Sequence, residues 1–281
     1  MNSDQDDEFR RARRNSSKRA KKAINVLRTI LWFHFVQTAL QLATPNQVEL
    51  AVRRHFTKDW KDVKSRWSKY KRGRHVPHPD LVEIVERVVP SSTRVLNHPL
   101  WDTMRIDDLT PTQTDAALRQ LAPAVQSIVF SNNVVGYPRA KMTLGKLVRL
   151  KKVASMDSLA CLVILMREAH TTGRSEDAVV IGKNIYAVLL ILFCIDVFKP
   201  IDLQLLQFFQ ERIFPQASDG KRAIDFDIDQ FLVKVEGLRD ILLMLEPADG
   251  KQRSAREKIH YLYQLSQGKV IDSTGPFLFH P

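Results

Sequence analysis

"SKYKRGRHVPHPDLVEIVERV", Ser68 to Val88, sets six cationic or imidazole side chains around a single glycine and then becomes amphipathic within a few residues. Upstream, Trp67 and Tyr70 stand three apart, the spacing that puts both on one face of a helix. Gly73 can leave that helix in a left-handed conformation, and Pro77 prevents the connection from continuing as helix. Leu81, Ile84, Val85 and Val88 then recur at threes and fours, the pattern of a helix closing a small core. The turn between the two helices is almost entirely cationic. It reads either as a solvated loop or as a docking edge for phosphate.

Helical periodicity extends outward on both sides. Ile24, Leu27, Ile30, Leu31, Phe35 and Leu40 mark one helix through "AINVLRTILWFHFVQTALQLA". Thr44 followed by Pro45 predicts an N-cap and a first-turn proline opening "TPNQVELAVRRHF". Asp59 can cap "DWKDVKSRWSKYKR", and Asp80 falls ahead of or within the first turn of the helix that stops at Pro90. A hinge-like section, "PSSTRVLNHPLWDTMRIDDLTPTQ", follows; Thr110 and Pro111 then start another helix. Downstream come "MDSLACLVILMREAHTTG", "SEDAVVIGKNIYAVLLILFCIDVF", "IDLQLLQFFQERIF", "QFLVKVEGLRDILLML" and "SAREKIHYLYQLSQG", with breaks near Gly173, Pro200, Pro215 and Pro247. No sustained alternation of period two is flanked by hairpin signals, and the helices share no fixed repeat. The expected fold class is all-α.

Composition narrows the partners. The 281 residues carry a formal net charge of +12, which favours polyanions, nucleic acid first and anionic membrane second. Cys161 and Cys194 sit in apolar runs without neighbouring metal ligands and read as buried hydrophobes of a reducing, cytoplasmic compartment. The N-terminus lacks the apolar core and cleavage site of a secretory signal. "IYAVLLILFCIDVF", Ile185 to Phe198, is shorter than a bilayer needs and carries Asp196, so a buried helix and no membrane partner are expected.

The run "WSKYKRGRHVPHPDLVEIVERVV" resembles the end of the recognition helix and the next helix of lambda-repressor-like helix-turn-helix domains. The family's places are held by Trp67, Ser68 and Lys69, Tyr70, Lys71 and Arg72, Gly73, Arg74 and His75, Pro77, and Leu81. The resemblance spans about twenty residues, and "RRHFTKDWKDV" departs from it by lengthening the second helix or enlarging the turn. It implies base reading by Lys64, Ser65 and Lys69, and phosphate contacts from Arg66, Lys71, Arg72 and Arg74. The strongly basic segment 1–22 cannot support a core and reads as a flexible arm or the frayed start of a helix, 23–92 as a helix-turn-helix-like bundle, and 97–281 as a larger helical assembly or effector domain. The apolar second half has surface enough for a homodimer contact or a protein partner.

The function expected is therefore a DNA-binding transcriptional regulator working on the duplex. The alternatives are a nucleic-acid- or protein-binding effector component of a mobile-element or phage-defence system, and a nucleic-acid-processing enzyme. Catalytic signatures are missing: there is no phosphate loop, no dinucleotide fingerprint, and no serine or cysteine nucleophile signature. His75 and His78 are three apart but interrupted by proline. Asp225, Asp227 and Asp229 alternate in "DFDID", where an acidic helix cap explains them better than a cation site. Arg167, Glu168 and His170 gather near a helix end, where histidine suits the dipole. No catalytic residue, metal or cofactor is expected.

Overall fold

The computed structural model describes residues 3–55, 66–106, 109–131, 138–195, 197–245 and 253–267, with side chains from 18 onward. Among the described residues there are helices and two isolated β-bridges, Phe130 to Arg139 and Ser218 to Ala223, and no strand. The fold is all-α. The chain divides into two compact units, Met1–Arg105 and Ile106–Pro281.

The first unit is organised by α1, Ser3–Ala39, whose Ala20, Ile24, Leu27 and Leu31 form one buried stripe, with Trp32 and Val36 beside it. The basic residues before Ala23 thus share a helix with this core-forming stretch. α1 stops at Ala39 because Gln41 takes φ 53°, and the Leu42 N–H then bonds back to the Gln37 carbonyl at 3.1 Å. α2, Pro45–Arg53, opens with a reciprocal capping box: the Thr44 hydroxyl accepts from the Gln47 N–H, and the Gln47 side chain accepts from the Thr44 N–H.

α3 is described over Arg66–Lys71 and α4 over Pro79–Val88. Trp67 and Tyr70 are buried, as their spacing predicts; Trp67 stacks on Trp32 with centroids 5.9 Å apart, and Tyr70 meets Trp32 edge-on at 5.8 Å. Leu81 and Val85 complete this core with Val48 and Val52, while Ile84 and Val88 are half-buried against it. Asp59, the expected cap, lies outside the described residues.

The section read as a hinge is structured. α5, Ser92–Leu96, and α6, Pro99–Arg105, both pack on α1. Leu96, Leu100, Trp101 and Met104 are buried, and the Trp101 indole N–H donates to the Val95 carbonyl at 2.9 Å. The first unit therefore runs past the expected end at residue 92, because these apolar side chains belong to its core.

The second unit begins with α7, Pro111–Arg119, and α8, Pro123–Val129, followed by α9, Leu144–Val153. Its centre is the hairpin of α10, Met156–Thr171, and α11, Ser175–Cys194; in α10 every residue from Asp157 to Ala169 is buried. By length and composition α11 could cross a membrane, yet 67% of its apolar window is buried within the structure. α12, Asp202–Phe208, runs on into a wide π-turn over Phe209–Ile213. α13, Ile228–Met244, and α14, Ala255–Ser266, complete the unit. Phe193, Phe226 and Phe231 join Tyr186 in an edge-to-face aromatic cluster over α11 and α13.

Candidate nucleic-acid interface

The turn after α3 is fixed by two backbone bonds. Gly73 N–H donates to the Tyr70 carbonyl and Arg74 N–H to the Lys69 carbonyl, both at 2.9 Å, with Gly73 at φ +65°. Glycine is needed there for a second reason. A Cβ at this position would stand 2.7 Å from Val26 Cγ1 and 3.0 Å from the Val26 carbonyl oxygen, so the bare backbone is what lets the turn lie against α1.

That docking builds a groove. Lys18, Lys21, Lys22, Asn25 and Val26 of α1 face Arg72, Gly73, Arg74 and Val76 across a space of about 550 Å3. The α1 members follow a spacing of three and four, so they line one side of the helix. Five cationic side chains meet, and among the described residues no carboxylate lines the groove. Like charges held this close repel one another, and a bound polyanion relieves the repulsion while releasing its own counterions. Beside the groove, Arg66 and Lys71 are exposed and Lys69 is half-buried.

The charges also act on their aromatic neighbours. Burial raises the Tyr70 phenol above its ordinary range, against the pull of Arg66. His34 of α1 is lowered, first by burial and then by the Lys71 charge. His34 therefore stays neutral where a surface histidine would begin to protonate.

Of the residues assigned by resemblance, Lys64 and Ser65 lie outside the described residues. Arg72 and Arg74 come together in the groove. Arg66, Lys69 and Lys71 lie on α3, outside the groove lining. What the sequence reading missed is that Lys18, Lys21 and Lys22 join the Gly73 turn. The available signal was their spacing of three and four leading into Asn25.

The other candidates separate. Asp227 caps α13, its carboxylate accepting from the Gln230 N–H at 3.0 Å, while Asp225 and Asp229 are exposed. His75 is exposed, and His78 lies 3.4 Å from Asp80. Glu168 is buried between Arg139 and Arg174, whereas His170 is exposed in the last turn of α10. Among the described residues no group of three histidine, cysteine or acidic side chains is placed to hold a metal ion. Both cysteines are buried and neither is in a disulfide.

No protein-family model, curated protein or solved structure matches this chain.

Proposed function

We propose that the first unit binds double-stranded DNA and that the protein is a cytoplasmic transcriptional regulator of the helix-turn-helix kind. The observation that carries this reading is the groove, where five cations from two separate elements converge with no acid among the described lining residues. The Gly73 turn seated on α1 holds the two sets of cations together, and such a cluster suits phosphates. Among the described residues the groove lining holds no aromatic side chain on which an unpaired base could stack, which favours a duplex over a single strand. In this mechanism Arg72, Arg74 and the α1 lysines take the backbone phosphates, while Lys64, Ser65 and Lys69 read base edges. Binding, not bond chemistry, is the activity, and paired copies would double the contacts on a symmetric site.

The test is selection of duplexes from a random pool by the intact protein, repeated with Lys64→Ala and Lys69→Ala combined. A recovered sequence preference that disappears in the double variant, with weak residual affinity, supports the reading. Equal affinity for unrelated duplexes and structured RNA moves the function to a nucleoprotein effector. Preference unchanged by the double variant rejects these residues as readers.

A further inference from the structure

The second unit contains a cavity that the DNA-binding reading does not use. It occupies about 500 Å3 between the segment leading into α9, the last turn of α10 and the first turns of α11. A volume of this size suits a small organic molecule. Its lining is of two kinds. Met142, Leu144, Leu147, Leu165, Val180 and Ile181 supply apolar surface, and Arg139, Lys141, Arg174, Glu168 and Asp177 supply charged groups.

The charged part of the lining is built around one buried carboxylate. The Glu168 side chain is 6% exposed; it accepts from Arg139 on one side and lies 3.3 Å from Arg174 on the other. Arg174 also reaches Asp177 at 3.4 Å. Three cations against two carboxylates leave the lining with one positive charge. Just outside it, Asp115 at 3.3 Å from Arg139 and Lys146, whose ammonium donates to the Lys141 carbonyl at 3.0 Å, carry opposite charges and cancel. Lys141 is exposed, and Arg174 is half-exposed. The three Arg174 nitrogens are engaged by the Thr172 hydroxyl, Asp177 and Glu168, so the spare positive charge is that of the Lys141 ammonium, a point charge that matches one carboxylate.

The apolar part of the lining is unusually exposed. Leu144 is 71% exposed at the start of α9, and Val180 is 36% exposed on α11. Both stand on the cavity lining, where an alkyl chain would cover them. We propose that this cavity is a binding site for a small aliphatic monocarboxylate, its head held by Lys141 and its chain lying against Leu144 and Val180. In a regulator such a site would serve as the ligand-sensing half of the molecule, but binding at the site does not depend on the DNA-binding reading.

Calorimetric titration of the full chain with butanoate, hexanoate and octanoate tests this, with hexylamine as the cation of matched length. The expected result is binding of the carboxylates that tightens about fourfold for each added methylene, with no binding of hexylamine. Lys141→Ala is expected to weaken hexanoate at least fivefold, and Leu144→Ser to flatten the dependence on chain length. Both side chains are exposed, so circular dichroism and the unfolding temperature are expected to stay at the wild-type values. The inference is overturned if none of the carboxylates binds at millimolar concentration, if hexylamine binds equally well, or if both variants bind as the wild type does. DNA affinity measured on the same samples reads the first unit separately.

Discussion

Gly73→Ala places a methyl group 2.7 Å from Val26 Cγ1 and 3.0 Å from the Val26 carbonyl oxygen, on a backbone at φ +65°. The left-handed conformation costs an L-residue about 1–2 kcal/mol, and forcing a methyl into a packed contact adds about 1–3 kcal/mol. Reduced freedom of the unfolded chain returns about 0.4–1 kcal/mol. The net expected loss is about 1–4.5 kcal/mol, centred on about 3 kcal/mol, which is a fall of about 12–24 °C in the unfolding temperature of a unit this size. Tryptophan fluorescence isolates the effect, since Trp32, Trp60, Trp67 and Trp101 all belong to the first unit and none to the second. Denaturant unfolding followed by fluorescence should show the loss, while far-ultraviolet circular dichroism also records the second unit. Val26→Ala in the same chain removes the Cγ1 contact and is expected to restore part of the loss, leaving the conformational cost. A loss below about 0.5 kcal/mol, or a gain, would mean that Gly73 is neither left-handed nor seated on α1, and the groove would lose its physical basis.

Two further outcomes test the rest of the fold. Glu86 accepts from the Ser91 and Thr93 N–H groups, both at 2.7 Å, and from the Ser92 hydroxyl at 3.0 Å, so it ties α4 to the start of α5. Burial pushes its pKa upward, but those hydrogen bonds outweigh it and hold the folded value below the ordinary 4.5. Its stabilisation is therefore complete above about pH 4.5 and is lost as pH falls through the depressed folded value; Glu86→Gln should flatten that part of the first unit's stability profile, read by fluorescence. Cys161 is fully buried, and burial raises its thiol well above the ordinary range despite the Arg139 charge. A thiol reagent at pH 8 is expected to leave Cys161 unmodified in the native protein and to label it at the rate at which the second unit opens.

The elements around the opening stretch were legible because their signals are local. Trp67 and Tyr70 share a face by spacing alone, Gly73 and Pro77 mark an end, and Thr44 and Pro45 mark a helix start within one turn. The termination of α1 was not legible: Gln41 takes the left-handed position usually given to glycine, and nothing in "TALQLA" announces it. α5 and α6 were hidden because Asn97, His98 and Pro99 interrupt them, so neither is long enough to display a period. The groove and the Glu168 site depend on distant partners. Lys22 and Arg72 meet only through the docking of Gly73 on Val26, and Arg139 is 29 residues from Glu168. Periodicity carries no information about such pairs, whereas it predicts each helix that presents them.

The most direct measurement is the affinity of the intact protein for a duplex across a series of salt concentrations. Five groove cations on phosphates predict a log–log slope of about −4.5, and Lys21→Ala combined with Arg74→Ala is expected to reduce its steepness by about 2. An affinity indifferent to salt, or a slope that the double variant leaves unchanged, would contradict a phosphate-tracking groove between α1 and the Gly73 turn.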